Sequence, residues 1–273
     1  MAERAVGVIG ASSLVGHYLL PQLAAAGWTP VPWLRGRHAD PQSVPHIAHW
    51  ITLAPVWTVP EHFPLWSACG AMRVVALSST SVEGKGASRD PEEQALVARL
   101  KVGEAALQAW GGRQGVQWVL LRPTLIYGGG RDRNVSDIAR LIRRFGWFPL
   151  AGAARGRRQP VHAADVAAAC VAALTAPQAS GQVYALSGGE TLSYRHMVAR
   201  VFQSLGRRPR LLSLPGWAVV MCLRLLRLLP RFRHWSPAMV ARMNADLVFD
   251  HGPAARDLAF SPRPFRPAAE DLP

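Results

Sequence analysis

Apolar and polar positions fall in blocks along the chain, and the opening block carries the most information. The run Ala5-Val6-Gly7-Val8-Ile9 is short, apolar and bounded by glycine, the pattern of a strand buried on both faces of a parallel sheet. A small-residue turn, Gly10-Ala11-Ser12-Ser13-Leu14-Val15-Gly16, leads into an apolar helix through His17–Leu23 that stops near Ala26-Gly27. A second strand is predicted over Thr29–Leu34. Much later, Asp165 stands ahead of the alanine-rich run 166–174, which predicts a helix with Asp165 as its N-cap. The segment Leu211 to Leu229 is apolar, bracketed by Pro215 and Pro230 and interrupted by Arg224 and Arg227. It is too short and too charged for a membrane span of about 20 apolar residues. Two readings stay open: a helix of a substrate-side lobe, or a helix lying on an anionic membrane with Arg224, Arg227, Arg231 and Arg233 towards the headgroups.

The opening strand, turn and helix form the unit that offers backbone N–H groups and a helix N-terminus to a pyrophosphate. Gly10, Ser12, Ser13, Leu14, Val15 and Gly16 are therefore the expected contacts to the diphosphate of a dinucleotide. An acidic residue at the tip of the second strand would bind the ribose hydroxyls. Here the tip is Leu34, followed by Arg35-Gly36-Arg37, and arginines suit a ribose 2′-phosphate. NADP(H) is thus favoured over NAD(H), with a solvated arginine pair as the competing reading.

Composition narrows the classes. The 273 residues are 49% hydrophobic and 18% charged, which excludes a disordered chain. The net charge is +14, yet only Lys85 and Lys101 among the 31 basic residues are lysines, so arginine usage looks like coding bias. Residues 195–273 hold 13 basic and 5 acidic side chains, an excess of 8. No zinc-finger, homeodomain or RNA-recognition signature accompanies that charge, and no nucleic-acid partner is expected. Cys69, Cys170 and Cys222 are odd in number and far apart, which argues against disulfides or a zinc site and suits a reducing cytoplasm. The first residues run directly into an apolar strand without the charged, apolar and cleavage regions of a signal peptide, so none is expected. The loop Gly128-Gly129-Gly130-Arg131-Asp132-Arg133, with Arg155, Arg157 and Arg158, suits a diphosphate-bearing substrate or a merely solvated cluster.

Gly10-Ala11-Ser12-Ser13-Leu14-Val15-Gly16 resembles the TGxxGxxG turn of the extended and atypical short-chain dehydrogenase/reductases, the NAD-dependent epimerase/dehydratase family, with Ser13 at the middle glycine. Further stretches continue the resemblance in order. Trp50–Pro55 is similar to the strand whose end, Leu53-Ala54-Pro55, packs over the adenine. Val74–Thr80 resembles the strand that delivers Ser78 to the cofactor and Thr80 as the catalytic hydroxyl. Val119–Gly128 resembles LRPxxxYG, implying that Pro123 and Ile126 border the nicotinamide and that Tyr127 faces the substrate. Arg158–Val166 resembles VHxxDV, with His162 on the substrate side, and Tyr184–Ser193 resembles the later strand and helix entry. Few residues separate the second strand from Trp50, so the sheet is expected to be trimmed there.

One position breaks the pattern. The family carries Tyr-x-x-x-Lys on one helix, where i and i+4 share a face and the ammonium favours the phenolate. The matching stretch is Val97-Ala98-Arg99-Leu100-Lys101: the lysine is present and valine holds the tyrosine position. The resemblance implies Thr80, Lys101 and Tyr127 as catalytic groups, Lys101 also on the cofactor ribose, and Arg157, Arg158 and His162 towards substrate. The expected fold is α/β: a Rossmann-like, doubly wound parallel sheet over residues 1–170, completed by 181–187, with a helix-rich, basic lobe over 188–273. The expected activity is that of an NADP(H)-binding oxidoreductase or epimerase/dehydratase acting on a nucleotide-linked sugar or related hydroxyl or carbonyl compound. The alternative is a non-catalytic NADP(H)-binding accessory protein, peripheral on the inner face of a membrane. A homodimer and a cytoplasmic location complete the expectations.

Overall fold

The computed structural model describes residues 4–33, 46–84, 86, 90–226, 228 and 237–273. In chain order the elements are β1 (Ala5–Ile9), α1 (Leu14–Ala25), β2 (Thr29–Trp33), β3 (His49–Thr52), α2 (Phe63–Ala68), β4 (Arg73–Leu77), α3 (Ser81–Gly84), α4 (Pro91–Gln114) and β5 (Gln117–Pro123). Then come β6 (Ile126–Tyr127), α5 (Val135–Phe145), β7 (Phe148–Ala151), β8 (Arg157–Arg158), β9 (Val161–His162), α6 (Ala163–Ala173) and β10 (Gln182–Leu186). The last are β11 (Leu192–Ser193), α7 (Tyr194–Ser204), β12 (Leu211–Leu214), α8 (Gly216–Leu226), α9 (Pro237–Arg242) and α10 (Gly252–Leu258).

Contacts divide the chain into two compact units, and the chain passes between them repeatedly. The first holds residues 1–124, 163–187 and 249–262; the second holds 125–162, 188–248 and 263–273. The single boundary expected near residue 188 is replaced by this interleaving. Segment 125–162 groups with 188–248 because its short strands pair there, β7 with β12 and β8 with β11.

In the first unit a wholly parallel sheet runs β10-β5-β4-β3-β1-β2. This is the expected doubly wound Rossmann-like α/β fold. Its central strands are continuous apolar runs because both faces are covered: β4 is buried along its whole length. The charged member of that strand, Arg73, is accommodated by donating to the Ala173 carbonyl and to the Gln117 side chain, each at 2.8 Å. Trp50, Trp66 and Trp110 share the core on one face with Val56, Val59 and Leu107, and Phe63 stacks on Trp110 at 4.8 Å.

Helix α4 starts where Asp90 accepts from Glu92 N at 2.9 Å, with Pro91 following, and it ends at Gly115 in the left-handed region (φ +66°). It lies close over residues 56–62, and a Cβ at Gly103 would come within 2.5 Å of the Val56 carbonyl. Helix α6 begins two residues before Asp165, which therefore sits in the first helical turn and is not the cap.

The second unit mixes short strands with helices. Three two-stranded ribbons, β6–β9, β7–β12 and β8–β11, accompany α5, α7, α8 and α9. The first four residues of the apolar run from Leu211 are strand, paired in parallel with Phe148–Ala151, and only Gly216 onwards is helix. Val135, Ile138, Ile142, Phe148, Val201, Phe202 and Phe265 fill this unit's own core.

Candidate functional site

The first unit builds its most distinctive corner at the carboxyl end of β1. In the strand order β1 lies between β2 and β3, the point from which successive strands are laid down in opposite directions, where open α/β sheets bind ligands. Gly10 takes φ +78°, and a Cβ there would meet Ala54 N at 3.0 Å and Leu53 at 3.1 Å. The turn and the Leu53-Ala54 segment are thus in contact. Gly16 is required for a different reason: a Cβ there would run into the Ala11 carbonyl. Ser13 is the N-cap of α1, its hydroxyl accepting from Gly16 N at 3.2 Å. Leu14 and Val15 begin the helix, whose first turn carries no acidic residue. The first N–H groups of a helix lack partners within it. With the positive dipole end, they suit an anion such as a dinucleotide diphosphate. Ser12 is exposed at the turn. The residues present fit the cofactor diphosphate. Arg35 and Arg37, on which the NADP(H) preference rests, lie outside the described residues.

A second cluster stands at the carboxyl ends of β4 and β5. Thr80 is buried, and its hydroxyl donates to the Pro123 carbonyl at 3.2 Å. The Ser78 hydroxyl donates to Glu104 at 2.5 Å. Glu104, on α4, is only 4% exposed, and Arg122 of β5 binds it through Nε at 2.9 Å and Nη2 at 2.5 Å. Arg122 also reaches Glu83 at 2.6 Å. The bond to Glu104 raises the guanidinium pKa against the opposing effect of burial. Sequence reasoning missed Glu104, Arg122 and Glu83. The available signal was an acid at Lys101+3 on a helix whose buried row is Val97, Leu100, Glu104 and Leu107.

Helix α4 contains no tyrosine, and Val97 is a core residue at 7% exposure. Lys101 is exposed, one position beyond that buried row. Thus the structure groups Ser78, Thr80 and Pro123, and leaves the Lys101 amine in solvent.

In the second unit Tyr127 is buried, edge-on to His162 at 5.1 Å and to Phe265 at 4.9 Å. His162 Nε2 donates to Asp271 at 2.8 Å. Burial raises the Asp271 pKa, but the hydrogen bonds from His162 and from Ala268 N outweigh it and leave the carboxyl below its usual range. Ile126 precedes Tyr127 on β6, which pairs with β9.

The two candidate substrate arginines have structural partners. Arg157 pairs with Asp246 at 2.8 Å. Arg158 is buried, donates to the Ala245 carbonyl at 2.7 Å and to the Arg242 carbonyl, and lies over the Tyr194 ring. Burial lowers its pKa. Among the described residues no cluster of metal-ligating side chains occurs.

Comparison with known proteins adds the lineage. Residues 63–187 match the sequence profile of the NAD dependent epimerase/dehydratase family. Two curated relatives are similar over part of the chain. One is NADH dehydrogenase [ubiquinone] 1 alpha subcomplex subunit 9, mitochondrial, of Arabidopsis thaliana, at 29% identity over 54% of this chain and 34% of that protein. The other is UDP-glucose 4-epimerase of Vibrio cholerae, at 25% identity over 54% of this chain and 48% of that protein. The matched stretch thus spans half or less of either relative. Among solved structures, UDP-glucuronic acid 4-epimerase from Bacillus cereus, in complex with NAD, superposes with TM-score 0.70 at 14% identity, covering 98% of this chain and 94% of that one. RMD from Pseudomonas aeruginosa, complexed with NADPH, gives 0.66 at 18% identity, covering 95% and 94%. At such identities the likeness establishes the fold.

Proposed function

We propose that the chain binds NADP(H) at the Gly10–Gly16 corner and acts as an oxidoreductase or epimerase/dehydratase-like enzyme on a nucleotide-linked sugar or a related hydroxyl or carbonyl compound. The observation that carries this reading is the corner itself: Gly10 at positive φ against Leu53-Ala54, and Gly16 packed on Ala11, at the carboxyl edge of a parallel sheet. The match of residues 63–187 to the epimerase/dehydratase profile supports it, as do the nucleotide-sugar substrates that similar proteins are named for.

The bound coenzyme would supply or accept a hydride. The chain's own residues would do the rest. The turn N–H groups and the start of α1 would hold the diphosphate, and Leu53, Ala54 and Pro55 would border the adenine. Ser78 and Pro123 would border the nicotinamide. Thr80 would orient a substrate oxygen, and the exposed Lys101 amine would meet the ribose. With Val97 in the tyrosine position, the proton would fall to substrate or to water.

A second reading, a cofactor-binding protein without turnover, is favoured by Val97 and by the likeness to a respiratory-complex subunit. Thermal unfolding with NADPH or NADH tests binding, because a ligand selective for the native state raises the midpoint. No shift with either defeats both readings. Isotope exchange between labelled NADPH and candidate nucleotide-linked ketosugars tests turnover. Exchange lost in Thr80→Ala or Lys101→Ala supports the enzyme; binding without exchange across the panel supports the accessory role.

A further inference from the structure

The second unit leaves one apolar helix face uncovered. On α8 and just beyond it, Trp217, Met221, Leu225 and Leu228 are 74%, 52%, 66% and 76% exposed. On the helix the spacing of 4 and 4 places Trp217, Met221 and Leu225 on one stripe, within an arc of about 80° at 3.6 residues per turn. The other side of the helix is anchored, since Val219 is 2% exposed within the unit's core. The stripe is therefore a docked helix's outer face. Soluble proteins scatter single exposed apolar residues, but an aligned row of a tryptophan, a methionine and a leucine, with an exposed leucine just beyond it, marks a binding surface.

Charge identifies the occupant. From residue 191 to residue 245 the chain has ten arginines and no aspartate or glutamate. Arg200 is neutralised by Glu190, just outside that stretch. Arg224 is exposed at one edge of the stripe, about 20° outside its arc. A protein groove would need an acid buried opposite Arg224. A second copy of this stripe would set arginine against arginine. A lipid surface needs neither, because a long arginine stem lies along acyl chains while its head stays at the phosphates. No helix among the described residues is long and apolar enough to cross a membrane.

We infer that the α8 stripe docks on an anionic bilayer surface, with Trp217, Met221, Leu225 and Leu228 at the boundary of headgroups and acyl chains and Arg224 on lipid phosphate. The surface belongs to the second unit alone and is independent of the cofactor reading. It gives the basic excess of the C-terminal region a function that dinucleotide binding does not require.

Co-sedimentation of the 273-residue chain with vesicles tests it. Phosphatidylcholine vesicles containing phosphatidylglycerol should bind about fivefold more protein than pure phosphatidylcholine, the difference that one arginine near the surface produces. Added salt should reduce the binding. Trp217→Ser with Leu225→Ser, both exposed, should lose binding with no change in thermal midpoint or in the NADPH-induced shift. Arg224→Glu should weaken binding to anionic vesicles. Equal binding to neutral vesicles overturns the inference, as does binding that survives the double substitution. So does a stripe-dependent dimer, seen by light scattering, that sediments with no vesicle.

Discussion

Arg122 holds Glu104 with two guanidinium nitrogens at 2.9 and 2.5 Å, and Glu104 in turn accepts the Ser78 hydroxyl at 2.5 Å. This ties helix α4 to the ends of β4 and β5 beside Thr80. Removing one member of a buried pair costs more than the pair contributes, because the remaining charge stays desolvated. Arg122→Met strands the buried Glu104 and should destabilise by about 3–5 kcal/mol. Glu104→Gln should cost less, since Glu83 still meets Arg122 at 2.6 Å. Urea unfolding of both variants checks the order. If Glu104→Gln proves the costlier, Glu83 does not compensate.

Two glycines on helices separate steric need from local propensity. A Cβ at Gly16 would collide with the Ala11 carbonyl, whereas one at Gly112, near the end of α4, would meet nothing within 4 Å. Gly112→Ala should be neutral or stabilising by up to about 1 kcal/mol, as expected for alanine over glycine in a helix. Gly16→Ala should lower the thermal midpoint and abolish the NADPH-induced shift, because the turn must open to admit the methyl group. Retention of the full shift would place the diphosphate elsewhere.

The sheet and its first turn were legible because local signals suffice for them: a glycine-bounded apolar run, a small-residue corner and an apolar helix. Where partners distant in sequence decide the outcome, the reading failed. The run from Leu211 is apolar enough for one continuous helix, yet Leu211–Leu214 pair with Phe148–Ala151, some 60 residues away. Arg158 was legible as a charge, but its bonds to the carbonyls of Arg242 and Ala245 could not be anticipated. Lys101 shows the limit of motif spacing. Four residues after Val97 it satisfies the pattern, while the buried row of α4 passes through Leu100 and Glu104. The Asp271 carboxylate on His162 had no local signature, since 109 residues separate them.

That pair makes the second unit acid-sensitive in a defined direction. The Asp271 carboxyl titrates below its ordinary 3.8 in the folded chain, so folding favours the ionised form. Its stabilisation is complete above the unfolded value, near pH 4, and is lost as pH falls through the folded value. Thermal midpoints measured downward from pH 6 should therefore drop more steeply below about pH 4 in the natural chain than in Asp271→Asn. At neutral pH the variant should be the less stable of the two, because asparagine cannot offer a charged acceptor to His162. Parallel pH profiles for the two chains would mean that Asp271 does not contribute this acid limb.

The three cysteines should report which parts of the fold open. Cys170 lies wholly inside α6, and burial pushes its thiol up to about 12, so almost no thiolate forms at pH 8. Cys69 is also buried, with its thiol raised by the same desolvation. Cys222 alone is partly exposed, on α8. Iodoacetamide at pH 8 should therefore modify Cys222 first, with Cys69 and Cys170 reacting only as fast as the first unit unfolds. Mass spectrometry of timed digests reads all three sites in one experiment. Adding NADPH should slow Cys69 and Cys170 further, because a ligand bound to the native state lowers the open population. Protection of these two with no change at Cys222 is the expected result. Early alkylation of Cys170 would mean that α6 opens locally without unfolding of the unit.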